Sequence, residues 1–495
     1  MIVNKVIQVM LLTAFVVSLN SCVSAVANKK EQKEFVKSSP SKPNIIYILA
    51  DDLGYGDLSC YGQEKFSTPN IDKLASQGMI FTQHYSGNTV CAPSRSALLT
   101  GMHTGHTPVR GNKEIQPEGQ YPIPDDTYTM AEALKKGGYI TGAFGKWGLG
   151  YPGSEGDPVN QGFDTFYGYN CQRLGHNYYP YHLWSNKDSI VLSGNAGHAK
   201  NEYAPNLIQK KALEFLEKNK DTTFFMYVPT IIPHAELVAP EAIMAKYRGK
   251  FLPEKKYKGL DDGPDYRKSS YESQDEPHAA FVAMIEIMDT QVGEIMAKVK
   301  ELGIEDNTII VFASDNGPHT EGGADPKYFK SSGPLKGVKR DLYEGGIRVP
   351  MIIKWPGKIK EGTKTDLVSA FWDVFPTFSE IAGIAVPANL DGISFLPTLL
   401  NKPEAQKQHE YLYWEFHEKG GRQAVRKGKW KAVKYNVLKQ PNAPIELYDL
   451  SQDVGEKNNI ASKHPEIVKD MERILKEART PSDVFTFSQN TFVAD

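Results

Sequence analysis

The stretch Asn44-Ile45-Ile46-Tyr47-Ile48-Leu49-Ala50 lies between Pro43 and the pair Asp51-Asp52. Its length and its isoleucines predict a β-strand, and its nearly continuous apolar character predicts that both faces of the strand are buried. Strands of this kind lie in parallel sheets that helices cover on both sides. The stretch therefore indicates an α/β fold with two aspartates at the carboxyl end of a central strand.

Further apolar strands alternate with amphipathic helices along the chain. Strands are predicted at Tyr139–Phe144, Thr223–Val228 and Thr308–Ala313. Helices are predicted at Pro69–Gln77, at Thr127–Lys136, at Ala204–Asn219 and across the helically spaced apolar positions 281 to 299. This order predicts a doubly wound, mainly parallel sheet, in which ligands bind beyond the carboxyl ends of the strands. The polar residues at such ends are Asp51, Asp52, Lys146, His234, Asp315 and Asn316.

Two other regions have a different residue pattern. The segment from Gly150 to Ser185 is rich in Gly, Tyr, Asn and His without a clear period, which predicts a long functional loop region. Beyond Asp391, short alternating runs predict a small antiparallel sheet, and Pro465–Ala478 predicts a final helix. We expect a catalytic domain at residues 43–390 and a C-terminal subdomain at 391–495. The predicted strands of the subdomain are Tyr411–Trp414, Arg422–Arg426, Lys429–Lys434 and Ile445–Tyr448.

The charge balance and the N-terminus limit the partners of the chain. A net charge of -2 over 495 residues provides no basic field for nucleic acid. Lys5 and the apolar run Val6–Leu19 indicate an export signal, because the run is too short to span a membrane convincingly. The ending Leu19-Asn20-Ser21-Cys22 resembles a lipobox. We expect a signal peptide at 1–21, a lipid anchor at Cys22 as the sole membrane contact, and a polar tether at 22–42.

This N-terminus predicts an exported protein of the periplasm or cell surface, anchored as an outer-membrane lipoprotein. An ordinary secretory signal cut nearby is the alternative. The two cysteines without a predicted role, Cys60 and Cys171, could pair in an oxidising compartment, but small buried side chains are the favoured interpretation.

The stretch Cys91-Ala92-Pro93-Ser94-Arg95-Ser96-Ala97-Leu98-Leu99-Thr100-Gly101 carries the chemistry. Pro93 predicts a shaped loop for Cys91, followed by a helix from Ser94 to Gly101. A thiol just before a helix N-terminus is placed for anionic chemistry, although a buried structural cysteine is the alternative. The string resembles the signature of the formylglycine-dependent sulfatases, which belong to the alkaline phosphatase superfamily. In that family the cysteine is oxidised to an aldehyde after translation.

The resemblance extends from Pro43 to about Ala478. Its other matches are Gly145-Lys146-Trp147, Pro233-His234, Asp315-Asn316-Gly317-Pro318, Lys339 and Glu344-Gly345-Gly346-Ile347-Arg348-Val349-Pro350. It implies an alkaline-phosphatase-like fold, a sulfatase-maturating enzyme that acts on Cys91, and one bound Ca²⁺. The implied calcium ligands are Asp51, Asp52, Asp315, Asn316 and the modified Cys91, mostly the hard oxygen donors that Ca²⁺ prefers.

The resemblance also implies catalytic roles. Arg95, Lys146 and Lys339 would offset charge on the sulfuryl oxygens, and Asp315 would be the base toward the hydrated aldehyde of residue 91. His234 with Lys339 would protonate the leaving group; a hydrogen-bonded turn histidine and a solvated lysine are the alternatives. Two further candidates for substrate contact, with plain loop or surface roles as the alternative, are His319 and Lys336.

One position departs from the family pattern. Family members commonly have Gly-Lys-Trp-His-Leu-Gly where this chain has Gly145-Lys146-Trp147-Gly148-Leu149-Gly150, so a histidine that contacts sulfate is missing. We consider His176 as its replacement, with its imidazole above Gly148 and within reach of residue 91. A histidine without a role in substrate binding is the alternative.

These observations predict an exported, calcium-dependent O-sulfatase that acts on a sulfated carbohydrate. The aromatic segment Tyr167–Trp184 suits sugar stacking. A phosphoester hydrolase of the same superfamily is one alternative, and a catalytically impaired, surface-anchored glycan-binding lipoprotein is the other.

Overall fold

The computed structural model describes residues 42–487. The predicted signal peptide, the lipid anchor at Cys22 and the tether as far as residue 41 lie outside the described residues. Within the described range, none of the helices combines the length with the apolar character that crossing a bilayer requires.

The described strands and helices alternate through most of the chain. The strands are β1 Asn44–Ala50, β2 Met79–Tyr85, β3 Ile140–Lys146, β4 Thr165–Tyr169, β5 His182–Ser185, β6 Asp188–Val191, β7 Phe224–Pro229, β8 Thr308–Ser314, β9 Arg348–Lys354, β10 Thr363–Thr365, β11 Ser369–Ala370, β12 Leu412–Phe416, β13 Arg422–Lys427, β14 Trp430–Tyr435 and β15 Glu446–Asp449. The α-helices are α1 Pro69–Ser76, α2 Cys91–Thr100, α3 Met130–Lys136, α4 Ala204–Asn219, α5 Glu241–Met244, α6 Pro277–Glu301, α7 Pro326–Phe329, α8 Glu344–Ile347, α9 Val374–Ala382, α10 Leu396–Leu399 and α11 Pro465–Glu477.

Eleven strands form one large sheet in the order β10-β2-β9-β8-β1-β7-β3-β4-β5-β6, with β11 paired to β2. The central strands β8, β1, β7, β3 and β4 run parallel, whereas β9 is antiparallel to both of its neighbours. A second sheet contains β12 to β15 in sequence order, all antiparallel. The predicted α/β class, a mainly parallel sheet plus a small antiparallel one, is confirmed.

Strand β1 is buried on both faces, as its apolar run predicts. Ile46 and Ile48 pack into one core with residues of α4 and α6, whereas Tyr47 and Leu49 pack into the opposite core with α2, α3 and α9. Alternating side chains of one strand therefore hold helices on both sides of the sheet. Asp51 and Asp52 follow directly at the carboxyl end of this fixed strand.

Several predicted boundaries differ from the structure. Helix α3 begins at Met130 rather than at Thr127, because Thr129 and Glu132 form a capping box. The strands β2 and β9 were not predicted. The region from Gly150 to Ser185 is not all loop, since β4 lies within it and pairs with β3. A Cβ at Gly168 would lie 2.0 Å from Gly145 O, so the glycine that hides the strand pattern is required by this close approach.

The small sheet is buried between the large sheet and the last helix. On one face Trp414 packs with Tyr85 and Trp372. On the other face Tyr413 packs with Met471 and other residues of α11. The division into domains at 390 and 391 remains a prediction.

Candidate active site

Helix α2 begins at Cys91 itself, so the prediction of a loop position for this residue was wrong. Pro93 lies in the first turn, where a missing N–H removes no bond of the helix. The side chain of Val90 makes no cap, but Asn112 Oδ1 accepts the N–H of Ala92 at 3.0 Å. The helix ends, as predicted, before Gly101, whose φ of 68° is the left-handed conformation.

Helix α2 is bound to two strand ends by its own side chains. Ser94 Oγ donates to the main-chain oxygen of Asp315 at 2.5 Å. Arg95 donates to Asp315 Oδ2 from Nε at 3.1 Å and from Nη2 at 2.8 Å, and its Nη2 lies 3.2 Å from Asp51 Oδ2. All ten residues of the helix are buried. The first residue of α2, Cys91, is thereby held at the carboxyl ends of β1 and β8.

Cys91 contacts the carboxylate of Asp51 and the ammonium group of Lys146. Its Sγ donates to Asp51 Oδ1 at 3.4 Å, and Lys146 Nζ lies 3.5 Å from Sγ and 2.6 Å from Asp51 Oδ2. Burial, with Asp51 beside it, raises the pKa of the Cys91 thiol well above its ordinary value. Burial would also raise the pKa of Asp51, but Lys146 and Arg95 outweigh it and the pKa is lowered. Unmodified Cys91 is therefore a neutral thiol beside a carboxylate.

A second group of oxygen atoms lies beside the first. The N–H of Asp52 donates to Asp315 Oδ1 at 3.0 Å, and Asn316 Nδ2 donates to Asp52 Oδ1 at 2.6 Å. Asp52 has a φ of 65°, an uncommon conformation for a residue with a side chain. Lys339 Nζ donates to Asp52 Oδ2 at 2.8 Å. Among the described residues, Asn316 Oδ1 is buried without a hydrogen-bond partner.

His234 lies in the middle of a stack of three imidazoles. Its Nδ1 contacts Ala235 O, so a neutral ring carries its proton there and accepts at Nε2, which lies 3.1 Å from Lys339 Nζ. Burial, with the charge of Lys339, holds the pKa of His234 well below its ordinary value. The ring centroids of His176 and His319 lie 5.0 Å and 5.4 Å from that of His234.

These residues form the floor of a cavity of about 960 Å³. Cys91, His234 and Lys339 line it, together with His176 and Tyr271. The other basic side chains that line it are Lys113, Arg173, Arg340 and Lys419, and the acidic ones are Glu114, Glu321 and Glu418. The arrangement suits an anionic ligand whose charged group reaches the floor.

The prediction that His176 fills the space above Gly148 was wrong. A Cβ at Gly148 would lie 2.2 Å from Gln172 Nε2, so the side chain of Gln172 takes that space. His176 lines the cavity, but its Nδ1 lies 3.0 Å from Ser269 Oγ. Its contact with substrate remains a prediction.

The structure does not bring His319 or Lys336 into this cavity. His319 lies behind His234, with Nε2 3.1 Å from Pro233 O and Nδ1 3.2 Å from the N–H of Glu321. Lys336 Nζ lies 3.7 Å from the ring centroid of Tyr343 and donates to Glu456 O at 3.2 Å. Protein groups already engage the polar atoms of both side chains, so this geometry lends no support to substrate contact.

Sequence reasoning missed Gln172 and its neighbour Gln120, which line the cavity. The sequence signal that could have indicated Gln172 was Gly148, because a residue without a side chain leaves room for the side chain of a neighbour. The cysteines Cys60, Cys91 and Cys171 are free, and Cys171 is buried whereas Cys60 is half-buried.

Two family models match the chain. The model described as "Sulfatase" matches residues 43–384, and the model described as "N-sulphoglucosamine sulphohydrolase, C-terminal" matches residues 338–481. Both matches include residues of the cavity described above.

Known proteins resemble the chain over nearly its full length. An N-acetylgalactosamine-6-O-sulfatase of Bacteroides thetaiotaomicron is 31% identical, over 92% of this chain and 96% of the relative. Human arylsulfatase A is 31% identical, over 87% of each protein. The crystal structure of Ps i-CgsB in complex with k-i-k-neocarrahexaose matches with a TM-score of 0.72 and 29% identity, over 88% of this chain and 92% of that one.

Proposed function

This chain belongs to the sulfatase family and is a sulfuric ester hydrolase, and from that premise we propose that it removes O-sulfate groups from a sulfated glycan. The observation that carries the proposal is the contact of Cys91 with Asp51 and Lys146, where Cys91 lines a cavity whose walls carry five basic and three acidic side chains. The substrate class is supported by the names of the N-acetylgalactosamine-6-O-sulfatase relative and of the neocarrahexaose complex.

We propose that Cys91 is the precursor of the nucleophile. As a neutral thiol it is a poor nucleophile, whereas a formylglycine made from it by a maturating enzyme would supply a hydrated aldehyde. The mass of the peptide that contains residue 91 tests this, because conversion replaces the CH₂–SH group with CHO. An unconverted thiol in fully active protein would contradict the proposal.

The site also fits a hard cation. Asp51 and Asp52 form, with Cys91 and His234, a group whose ligand atoms lie within 4.8 Å of one another. Asp315 and Asn316 add oxygens beside Asp52, and the buried Asn316 Oδ1 lacks a partner among the described residues. A set with more oxygen donors than thiol or imidazole donors favours Ca²⁺ over Zn²⁺. Ca²⁺ held there would offset negative charge on the sulfuryl oxygens.

The side chains around Cys91 have separate tasks in this proposal. Arg95 and Lys146 offset sulfuryl charge, and Arg95 is held for that task by Asp51 and Asp315. Burial and the charge of Asp51 raise the pKa of Asp315 to about 6, and a carboxylate with a raised pKa is a stronger base toward the nucleophile.

Lys339 is the better candidate for protonating the leaving group. His234 carries its proton on Nδ1, toward Ala235 O, and presents an unprotonated Nε2 to Lys339. Burial would lower the pKa of Lys339, but Asp52 outweighs it and the ammonium is kept. His234 therefore orients the ammonium, and Lys339 holds the transferable proton.

A panel of mono- and oligosaccharides sulfated at defined positions tests the function. We expect release of inorganic sulfate from at least one member, starting with N-acetylgalactosamine 6-sulfate. The matched phosphate esters are the control for a phosphoester hydrolase. Turnover of the phosphate esters alone, or of no sulfated member, would contradict the proposal.

We further propose that the protein is exported and anchored by a lipid at Cys22. A signal-like run that ends in Leu19-Asn20-Ser21-Cys22 supports this. Cys22→Ala should move the protein from the membrane fraction to the soluble fraction with unchanged specific activity. Retention of the variant on membranes would contradict the anchor.

A further inference from the structure

Gln172 has a buried side-chain amide that makes no hydrogen bond within the described part of the chain. The residue is 5% exposed, and both Nε2 and Oε1 are buried without a partner. Rotating the amide by 180° would only exchange the two atoms. Its main-chain N–H is bound, because it donates to Gln120 Oε1 at 3.1 Å. The backbone of Gln172 is therefore fixed while its amide is left free.

Gln120 also has a buried side-chain amide group without a full set of partners. It is 1% exposed, and its Nε2 is also without a partner among residues 42–487. Both glutamines line the cavity that Cys91 and Lys339 line. Leaving a buried amide unpaired costs about 1–3 kcal/mol, and native proteins rarely accept that cost without a reason. Two such amides on one cavity wall indicate a ligand that binds them.

Gly148 creates the place for the Gln172 side chain. A Cβ at residue 148 would lie 2.2 Å from Gln172 Nε2 and 2.9 Å from its Cδ, and the glycine has a φ of 80°. Residue 148 comes two positions after Lys146, whose Nζ lies 3.5 Å from Cys91 Sγ. The amide of Gln172 therefore packs against the backbone that follows Lys146, and it lines the same cavity as Cys91.

The chemistry of an amide selects among the groups of a sulfated sugar. Sulfuryl oxygens only accept hydrogen bonds, and Lys339, which lines the cavity, offers them a charged donor. An amide offers a donor and an acceptor together, which is the complement of a hydroxyl group. A site built to bind a hydroxyl discriminates strongly against analogues that lack it.

We propose that Gln172, supported by Gln120, is a specificity residue that hydrogen-bonds a hydroxyl of the sugar ring bearing the sulfate. This inference rests on the proposed function, since it assumes a sulfated sugar in the cavity. It assigns recognition of the sugar to a neutral amide pair and recognition of the sulfate to the cationic floor.

The test compares Gln172→Leu with the wild type on two substrates. The first is N-acetylgalactosamine 6-sulfate, which carries ring hydroxyls, and the second is 4-methylumbelliferyl sulfate, which carries none. We expect the ratio of kcat/KM for the sugar to kcat/KM for the aryl sulfate to fall by about 10- to 100-fold in the variant. The thermal midpoint should stay level or rise, because the variant removes an unpaired buried amide. Gln452→Leu, at an exposed position, is the matched control.

A second comparison identifies the group that Gln172 binds. The 3-deoxy and 4-deoxy analogues of N-acetylgalactosamine 6-sulfate each lack one ring hydroxyl. Wild-type kcat/KM should fall for one analogue, and Gln172→Leu should show no further loss for that analogue. If the loss from the missing hydroxyl and the loss from Gln172→Leu are additive, Gln172 does not bind that hydroxyl and the inference is overturned.

Each remaining outcome has a defined meaning. An equal loss on both substrates would overturn sugar recognition and place Gln172 at the sulfate or in the structure, and a lowered thermal midpoint would identify the second case. No loss on either substrate would overturn the inference outright. If the wild type hydrolyses another member of the sulfated panel faster, that member replaces N-acetylgalactosamine 6-sulfate as the sugar substrate in this test. Failure of the wild type on every sulfated member of the panel would refute the proposed function, and this inference with it.

Discussion

Two clusters of buried charge lie in this molecule, and they differ in how the charge of the central carboxyl group is compensated. The first surrounds Glu344 at the base of the small sheet, where Oε1 accepts from Lys431 Nζ at 2.9 Å and Oε2 accepts from Tyr85 Oη at 2.5 Å. Arg348 Nη1 adds a contact to Oε2 at 3.4 Å. The second is the cluster at Cys91, where Asn316 Oδ1 and the Gln172 amide are buried without partners in the described structure.

The difference also appears in the ionisation of the acids. Burial would raise the pKa of Glu344, but Lys431 and Arg348 outweigh it and lower that pKa to about 2. At the cavity, burial and Asp51 raise the pKa of Asp315 to about 6. A carboxylate that is paired with cations stabilises a fold. A carboxyl group whose pKa is raised toward neutral pH is available for proton transfer. The pKa of the central carboxyl group therefore distinguishes the structural cluster at Glu344 from the working cluster at Cys91. Unpaired atoms alone do not, because Glu456 beside Glu344 also has a buried Oε1 without a partner in the described structure, and burial raises its pKa to about 8.

The largest effect is expected when the proposed precursor of the nucleophile, Cys91, is removed from the working cluster. Cys91→Ala should lower kcat by at least about 10³-fold, because no other group can replace the nucleophile. Its thermal midpoint should stay close to that of the wild type, since Ser94 and Arg95 still hold the helix. Cys60→Ala, at a free cysteine outside the cavity lining, is the matched control. Wild-type rates in Cys91→Ala would refute the assignment.

The next effect breaks the structural cluster. Lys431→Met leaves the Glu344 carboxylate with one cation fewer in a buried setting and should lower the free energy of unfolding by about 3–5 kcal/mol. Adding Glu344→Leu should restore part of that loss. Urea unfolding measures both variants. A fall in kcat/KM of the folded Lys431→Met protein would show that the two clusters are not separate in function.

Removal of a bound metal ion tests the oxygen ligands of the working cluster. Chelation should abolish turnover, and Ca²⁺ at about 100 times its Kd should then raise the free energy of unfolding by about 2.7 kcal/mol. Asn316→Leu should lose this calcium-dependent rise, whereas Asn442→Leu at an exposed position should keep it. Restoration of turnover by Zn²⁺ and not by Ca²⁺ would mean that the ligand set has been misjudged.

The smallest effect concerns pH at the structural cluster. Because folding lowers the pKa of Glu344 to about 2, the carboxylate stabilises the protein above its ordinary pKa and this stabilisation is lost as the pH falls. The stability gap between wild type and Glu344→Gln should therefore narrow by about 2 kcal/mol between pH 5 and pH 3. A gap that stays constant would show that the ion pair with Lys431 does not govern the stability of this region.

The sequence predicted the central sheet well because its signals are local. The uninterrupted apolar run of β1 and the helical period of α6 are visible in single windows of residues, and both elements were confirmed. Strand β4 was hidden because Gly168 serves a close backbone contact with Gly145, a partner 23 positions away. The antiparallel strand β9 was missed for a similar reason, since it depends on neighbours distant in sequence.

The candidate site was partly predictable for the same reason. Asp51 and Asp315 follow strand ends and Lys146 is the last residue of β3, so a parallel sheet brings them together, and the structure does so. Gln172 was not predictable in this way, because its position depends on the empty space at Gly148. Recognising it required knowledge of which atoms find partners after folding.

The burial of helix α2 has a consequence for the order of events in the life of the protein. Cys91 is 2% exposed, and every residue after it in the helix is buried. A second enzyme that must grasp the chain on both sides of this cysteine cannot reach it once the sheet has formed. The proposed oxidation of Cys91 thus belongs to the nascent or unfolded chain, and on this proposal a molecule that folds before it is modified stays inactive.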